Sequence, residues 1–209
     1  FICQNNGCSA ERFSGDKHAL FSAADPETVK ISRLIAYAEE LFEKCDLDLS
    51  RVYAERALAL SGALHDVRGS ARSHRLLAQV YKWQGPNSKL RLHADSALAL
   101  YERLNDEVEF AKALRFAVPA HISDWTAQRR REGVDRALVI FEKHGLQHEI
   151  VECLIEQSRT HAEIESRMRI LQSALRIADS IGYERGKHRA LSFIAYLYSL
   201  QNEFGKGQS

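Results

Sequence analysis

The sequence predicts an all-α chain, an α-solenoid of antiparallel helix pairs, and three observations carry that prediction. Three prolines and 11 glycines among 209 residues, set against abundant Ala, Leu, Glu and Arg, favour helix throughout and argue against a turn-rich all-β chain. The dipeptide Ala-Leu recurs at 57/58, 97/98, 137/138 and 174/175, at spacings of 40, 40 and 37 residues. Apolar residues stand three and four apart between these landmarks, as in Val52, Ala54, Ala57, Leu58 and Leu60, then Leu76, Leu77, Val80 and Tyr81.

Other columns fall into the same register. Twenty-four residues after each landmark Ala stand Tyr81, His121, His161 and Tyr198, and seven before that column stand His74, Leu114, Leu154 and Leu191. Three before it the residue is small or branched: Ala78, Val118, Ser158, Ala195. Eight after each Ala come His65, Asn105, Gly145 and Gly182, residue types that tolerate the left-handed position just past a helix C-terminus.

Taken in order, residues 1–26 form an N-terminal extension and helices are expected near 27–44, 48–63, 68–83, 88–104, 107–122, 130–144, 147–161, 165–181 and 185–201. The first starts at Asp25-Pro26-Glu27, with Asp25 as cap and Pro26 at the first helical position, where its missing donor costs nothing. Asp66 and Asp106 follow the left-handed column and are placed to cap the next helices. Gly85-Pro86-Asn87 reads as a turn. Pro119 lies inside a helical pattern and should kink or end that helix. The repeats run about 27–66, 67–106, 107–146, 147–183 and a truncated 184–209. Helix pairs at a fixed period bury their apolar faces only by stacking, which makes one continuous core.

Lys plus Arg less Asp plus Glu is 29 − 28 = +1, so the long-range field for non-specific nucleic-acid or membrane-surface binding is missing. No apolar run approaches the roughly 20 residues of a membrane helix. Cys3 and Cys8 could close a small disulfide loop in an oxidising compartment, whereas Cys45 and Cys153 read as small buried hydrophobes inside helices. The compartment read from this is cytoplasmic, with an extracytoplasmic or periplasmic site as the alternative if Cys3 and Cys8 are bonded. The chain begins at Phe1 rather than Met, the expectation for a processed chain or a piece of a longer one.

From Ala71 onward the pattern Leu77-Ala78, Tyr81, Gly85, Ala97-Leu98 resembles the tetratricopeptide repeat, whose Leu-Gly, Tyr, Gly and Ala landmarks have the same relative spacing. Ala78 replaces the usual Gly, Leu90 and Ala94 stand where Ala and an aromatic are expected, and the terminal Pro is absent. The length near 40 is similar to the extended repeats of bacterial sensor and regulator proteins and of kinesin light chains. The resemblance covers roughly residues 27 to 209 and implies a right-handed superhelix. Phe204 matches the opening of a further second helix, which implies an array cut short and a larger parent protein.

In tetratricopeptide folds the first helix of each pair lines a concave groove. The groove positions this implies are Arg72, Arg75, Gln79, Lys82, Lys112, Arg115, Arg159, Arg189 and Tyr196. Most are basic, which suits an acidic segment or a free C-terminal carboxylate bound through charge-assisted hydrogen bonds. Family members that hold chaperone C-termini use Lys, Asn and Arg in such a clamp; Arg75 and Gln79 occupy two comparable places, but the asparagines are missing. The competing reading is that these arginines are solvated helix faces. The groove reading expects Arg75→Glu and Arg115→Glu to abolish partner capture at unchanged melting temperature.

Arg129-Arg130-Arg131, close after Trp125, is a second charge cluster, and cations there oppose the dipole of the helix they open. One aromatic beside three arginines makes no stacking platform for single-stranded nucleic acid. His121 and His161 read as packed helix residues, and His144 and His148 straddle Gly145 and so do not share a helical face. Glu39/Glu40 and Glu163/Glu165 fall on faces that such helices expose. No catalytic set, cofactor motif or metal-ligand spacing stands out. The expected function is a protein- or peptide-binding scaffold or sensor module of a larger signalling or regulatory protein, not an enzyme. The alternative is the effector-sensing domain of a transcription regulator, in which a small molecule or short peptide tightens the array.

Overall fold

The computed structural model describes residues 26–206, with side chains to residue 201. Among the described residues there are nine α-helices and no strand. They are α1 (Glu27–Glu43), α2 (Leu47–Ala63), α3 (Val67–Gln84), α4 (Asn87–Arg103), α5 (Glu107–Ala120), α6 (Ala127–Lys143), α7 (Gln147–Ser158), α8 (Ile164–Ser180) and α9 (Glu184–Lys206). The chain forms two compact units, divided between Leu104 and Asn105 in the α4–α5 connection. In each, helices pack on their chain neighbours, and alternate helices adjoin as well: α1 on α3 in unit 1, α5 on α7 and α7 on α9 in unit 2. Within each unit this is a solenoid-like arrangement of helix pairs.

The turns follow from backbone chemistry. His65, Asn105, Gly145 and Gly182 all take the expected left-handed conformation, with φ of 54°, 52°, 64° and 66°. Each ends a helix in a closed turn; past His65, the Asp66 amide donates back to the Ser61 carbonyl at 2.8 Å, and past Gly182 the Tyr183 amide reaches Ala178 at 2.8 Å. Asp66 and Asp106 then cap α3 and α5 by accepting from the Gly69 amide at 2.9 Å and the Glu109 amide at 3.3 Å.

Cys45 corrects the sequence reading. It is exposed and sits at φ 62° just past α1, in the same role as His65, while Asp46 behind it caps α2 through the Leu49 amide at 3.1 Å. The turn rather than the core claims this small side chain. Cys153 is buried as expected, and burial pushes its thiol up to about 12. Pro26 is the N-cap of α1 with extended ψ of 143°, one residue earlier than the first helical position expected for it. Asp25, Cys3 and Cys8 lie outside the described residues. Thr126 starts α6 three residues before the expected 130 by accepting from the Arg129 amide at 3.1 Å. Pro119 ends its helix, since α5 stops one residue later.

The landmark alanines Ala57, Ala97, Ala137 and Ala174 are each fully buried. Alternate helices also approach through a shared column. A Cβ placed on Gly69 would meet the Ile31 side chain at 2.9 Å, and one on Gly186 would meet Val151 at 2.8 Å. Gly69 and Gly186 both stand twelve residues before the Tyr/His landmark of their repeat, at the seams of α3 with α1 and of α9 with α7, whereas Glu149 fills that position where α7 adjoins α5. In unit 1 Ile31, Leu34, Ile35 and Ala57 form a core, and in unit 2 Val151, Ile155, Leu171, Ala174, Ala178, Ala190 and Leu197 form another.

Candidate functional site

The odd-numbered helices carry the residues expected to line a groove, and their environments differ between the units. In unit 1, α3 presents Arg72, Arg75, Gln79 and Lys82 at spacings of three and four, one stripe of a helix, and all four are partly exposed. Arg75 Nη2 donates to Glu39 Oε1 of α1 at 3.1 Å, and Arg72 Nη2 lies 3.6 Å from the other oxygen of that carboxylate. Two guanidinium groups thus converge on one acid. Glu39 is more than one of a pair on an open helix face: it is half-buried and is the acceptor of the stripe, whereas its neighbour Glu40 is exposed.

In unit 2 the equivalent cations are drawn inside. Arg115 of α5 is buried, with Nη2 3.2 Å from Glu149 Oε2 and Nη1 donating to Glu152 Oε2 at 3.4 Å, both acids on α7. Arg189 of α9 pairs with Glu152 and donates to Glu156 Oε1 at 3.4 Å. Tyr183 donates its hydroxyl proton to Glu152 Oε1 at 2.9 Å, and Arg159 donates to Glu156 Oε2 at 2.9 Å. Burial, reinforced by the neighbouring Arg115 charge, lowers the pKa of Arg189 to about 10. Glu152 is 6 % exposed and Glu156 3 %, so this ladder ties α5, α7 and α9 together out of water.

Two of the basic positions expected to line a groove, Arg115 and Arg189, are thus paired between helices in unit 2 rather than on solvated faces. Arg115 and Arg189 are tie-bars between helices, and desolvation made acidic partners obligatory. Lys112 pairs within α5, donating to Glu109 at 2.6 Å, and Tyr196 is exposed on α9. Arg159 caps the end of α7 beside its own acid.

The three-arginine run opens α6. Arg129 stacks over the Trp125 ring at 4.6 Å, and Trp125 stacks on His121 with ring centres 4.7 Å apart. Arg130 Nη1 donates to the carbonyls of Ile122 at 3.0 Å and Trp125 at 2.6 Å, which closes the α5–α6 connection. Two of the three cations are thus occupied in shaping that loop, and Arg131 is exposed. His121 is buried at the end of α5 as expected for a packed residue, but His161 falls in the loop after α7, which ends at Ser158. His144 ends α6 and contacts Glu107 at 2.6 Å; His148 lies in α7 against Tyr183, so the two serve different helices. Glu163 and Glu165 are exposed.

Among the described residues no group of three or more His, Cys, Asp or Glu is placed to hold a metal ion, and no helix is long and apolar enough to cross a membrane. Sequence reasoning missed Glu149, Glu152 and Glu156, and also a contact between His74 of α3 and His93 of α4, whose Nδ1 atoms lie 2.9 Å apart. No protein-family model matches the chain, and no curated protein matches it either.

Proposed function

We propose that the protein is a helical-repeat binding module, a scaffold or sensor part of a signalling or regulatory protein, and that its α1–α3 face in unit 1 receives a peptide segment bearing an acidic side chain or a C-terminal carboxylate. The observation that carries this reading is the convergence of Arg72 and Arg75 on the single half-exposed carboxylate of Glu39. An incoming carboxylate can take one guanidinium while Glu39 keeps the other, so docking exchanges one charge-assisted bond for another without stripping a buried ion. Gln79 and Lys82, further along the stripe, add donors for backbone carbonyls or a second acid. The buried ladder of unit 2 offers no such exchange, since capture there would unpair Arg115 or Arg189 from acids they need.

Fluorescence anisotropy with a labelled hexapeptide of Glu and Asp ending in a free carboxylate tests this. Expected are saturable binding to the full chain, weakening as salt rises, and a loss of about tenfold or more in Arg72→Gln/Arg75→Gln, the scale of one charge-assisted hydrogen bond. Equal affinity for the variant, or for a Lys-rich hexapeptide, would remove the reading.

A further inference from the structure

Within unit 1, α3 and α4 meet across a pair of imidazoles. His74 Nδ1 and His93 Nδ1 stand 2.9 Å apart, a distance that requires one proton between them, carried by one ring and accepted by the bare nitrogen of the other. His93 is 8 % exposed and stacks parallel on Tyr81 at 5.5 Å; His74 is half-buried. This contact joins two helices of one pair through groups that titrate, and the proposed peptide face does not use it.

The proton count decides what the contact can do. With both rings neutral, one N–H donates to one lone pair. Adding a single proton leaves the bond possible, as an imidazolium donating to a neutral ring. Adding the second places N–H against N–H at 2.9 Å, two cations with no acceptor between them. We propose that His74 and His93 form an acid-sensitive latch between α3 and α4, closed while the pair holds at most one added proton and driven open by the second.

The surroundings favour a closed, uncharged pair. Burial lowers the pKa of both rings, and for His93 burial, then His74, then Lys89 bring it to about 4. Of the elements packed around the pair, α4 contributes the Lys89 cation and α3 contributes Tyr81. From α2, Glu55 accepts from the Tyr81 hydroxyl at 3.3 Å and pairs with Arg51, and from α1, Glu39 pairs with Arg72 and Arg75. Lys89 also lies over the Tyr81 ring, 5.7 Å from its centre, so a second cation in this corner meets positive charge.

Because the folded pKa lies below the ordinary value of 6.5, the unfolded chain binds more protons between pH 6.5 and 4. The stability that the neutral pair contributes is thus full above pH 6.5 and shrinks as pH falls towards 4, where His93 takes its proton and the doubly charged pair opens the latch. It is independent of the peptide face, since its effect is read from stability alone.

Urea unfolding of the full chain from about pH 7.5 to about 4, with His74→Asn/His93→Asn alongside, tests it. Carboxylate titration is common to both proteins. The wild-type folding equilibrium constant should fall by about two orders of magnitude more than that of the variant over this range. Parallel pH dependences would overturn the latch. Should the variant not fold, the side-chain 15N resonances of the wild-type histidines decide the question instead. The latch expects both rings to titrate below 6.5, His93 at about 4, with one hydrogen-bonded Nδ1 proton at neutral pH; midpoints at or above 6.5 for both rings would overturn it.

Discussion

Glu152→Ala is expected to destabilise unit 2 by about 3–5 kcal/mol, the cost of leaving buried charge without its partner. Glu152 is the shared acceptor of Arg115, Arg189 and Tyr183, and its removal takes one acidic partner from each of two largely buried guanidinium groups. Arg115 keeps Glu149 at 3.2 Å and Arg189 keeps Glu156 at 3.4 Å, which holds the loss to that range rather than beyond it. In urea unfolding, the midpoint should drop by roughly 2 M if the slope is about 2 kcal/mol/M. Replacing both members, Glu152→Met with Arg189→Met, should restore much of that stability, because a buried ion pair and a hydrophobic pair of similar volume differ little in net free energy. A single variant as stable as wild type would mean that water reaches the ladder and screens it.

The same geometry revises what a charge reversal at Arg115 would do. Arg115→Glu places a third acid beside Glu149 and Glu152, so it should unfold unit 2 rather than selectively abolish partner capture. Binding loss in that variant would say nothing about a peptide groove.

Ala97→Arg is the second large effect. Ala97 is fully buried on α4, the helix packed on α3, and the same column is filled by Ala57, Ala137 and Ala174, each with no exposed surface. A methyl group fills the space between helices there. A guanidinium must either push α4 away from its neighbours or lose its water without a partner, and overpacking alone costs about 1–3 kcal/mol before the desolvation is added. Circular dichroism should show a melting transition lost or lowered far beyond that of Ala99→Arg, two residues along on the exposed side of α4, which should change stability by about 0.5 kcal/mol or less. Equal melting of the two variants would mean that the alanine column is not the close-packed seam between paired helices.

The helices and turns were legible because the sequence states them twice, in apolar spacing and in the punctuation that recurs each repeat. His65, Asn105, Gly145 and Gly182 can be aligned by counting, and left-handed φ is a local property of such residues. Cys45 shows the limit: it fills the same role, but a cysteine gives no turn signal, and its apolar character points to the core. The basic side of the candidate site was legible for the same reason as the turns, since Arg72, Arg75, Arg115 and Arg189 recur at fixed offsets. Their partners were not. Glu39, Glu149, Glu152 and Glu156 sit on the adjoining odd-numbered helix at different offsets from its landmark, and an ion pair between neighbouring repeats leaves no periodic trace within either. His93 was missed likewise, because it stands 19 residues from His74 on the other helix of the pair. Charge counting along the chain shows which residues are ionic; only packing shows which of them are spent.

Arg72 and Arg75 of α3 in unit 1 converge on the part-exposed carboxylate of Glu39, while Arg115 and Arg189 of unit 2 share the buried acid Glu152, and the proposed function turns on that contrast. Amide chemical-shift mapping of the 15N-labelled chain during titration with the acidic hexapeptide examines both units at once. Saturable shifts should cluster on α1 and α3, around Glu39, Arg72, Arg75 and Gln79, with α5, α7 and α9 unmoved. Shifts centred on Arg115, Glu152 and Arg189, or none at saturating peptide, would contradict the contrast and the function drawn from it.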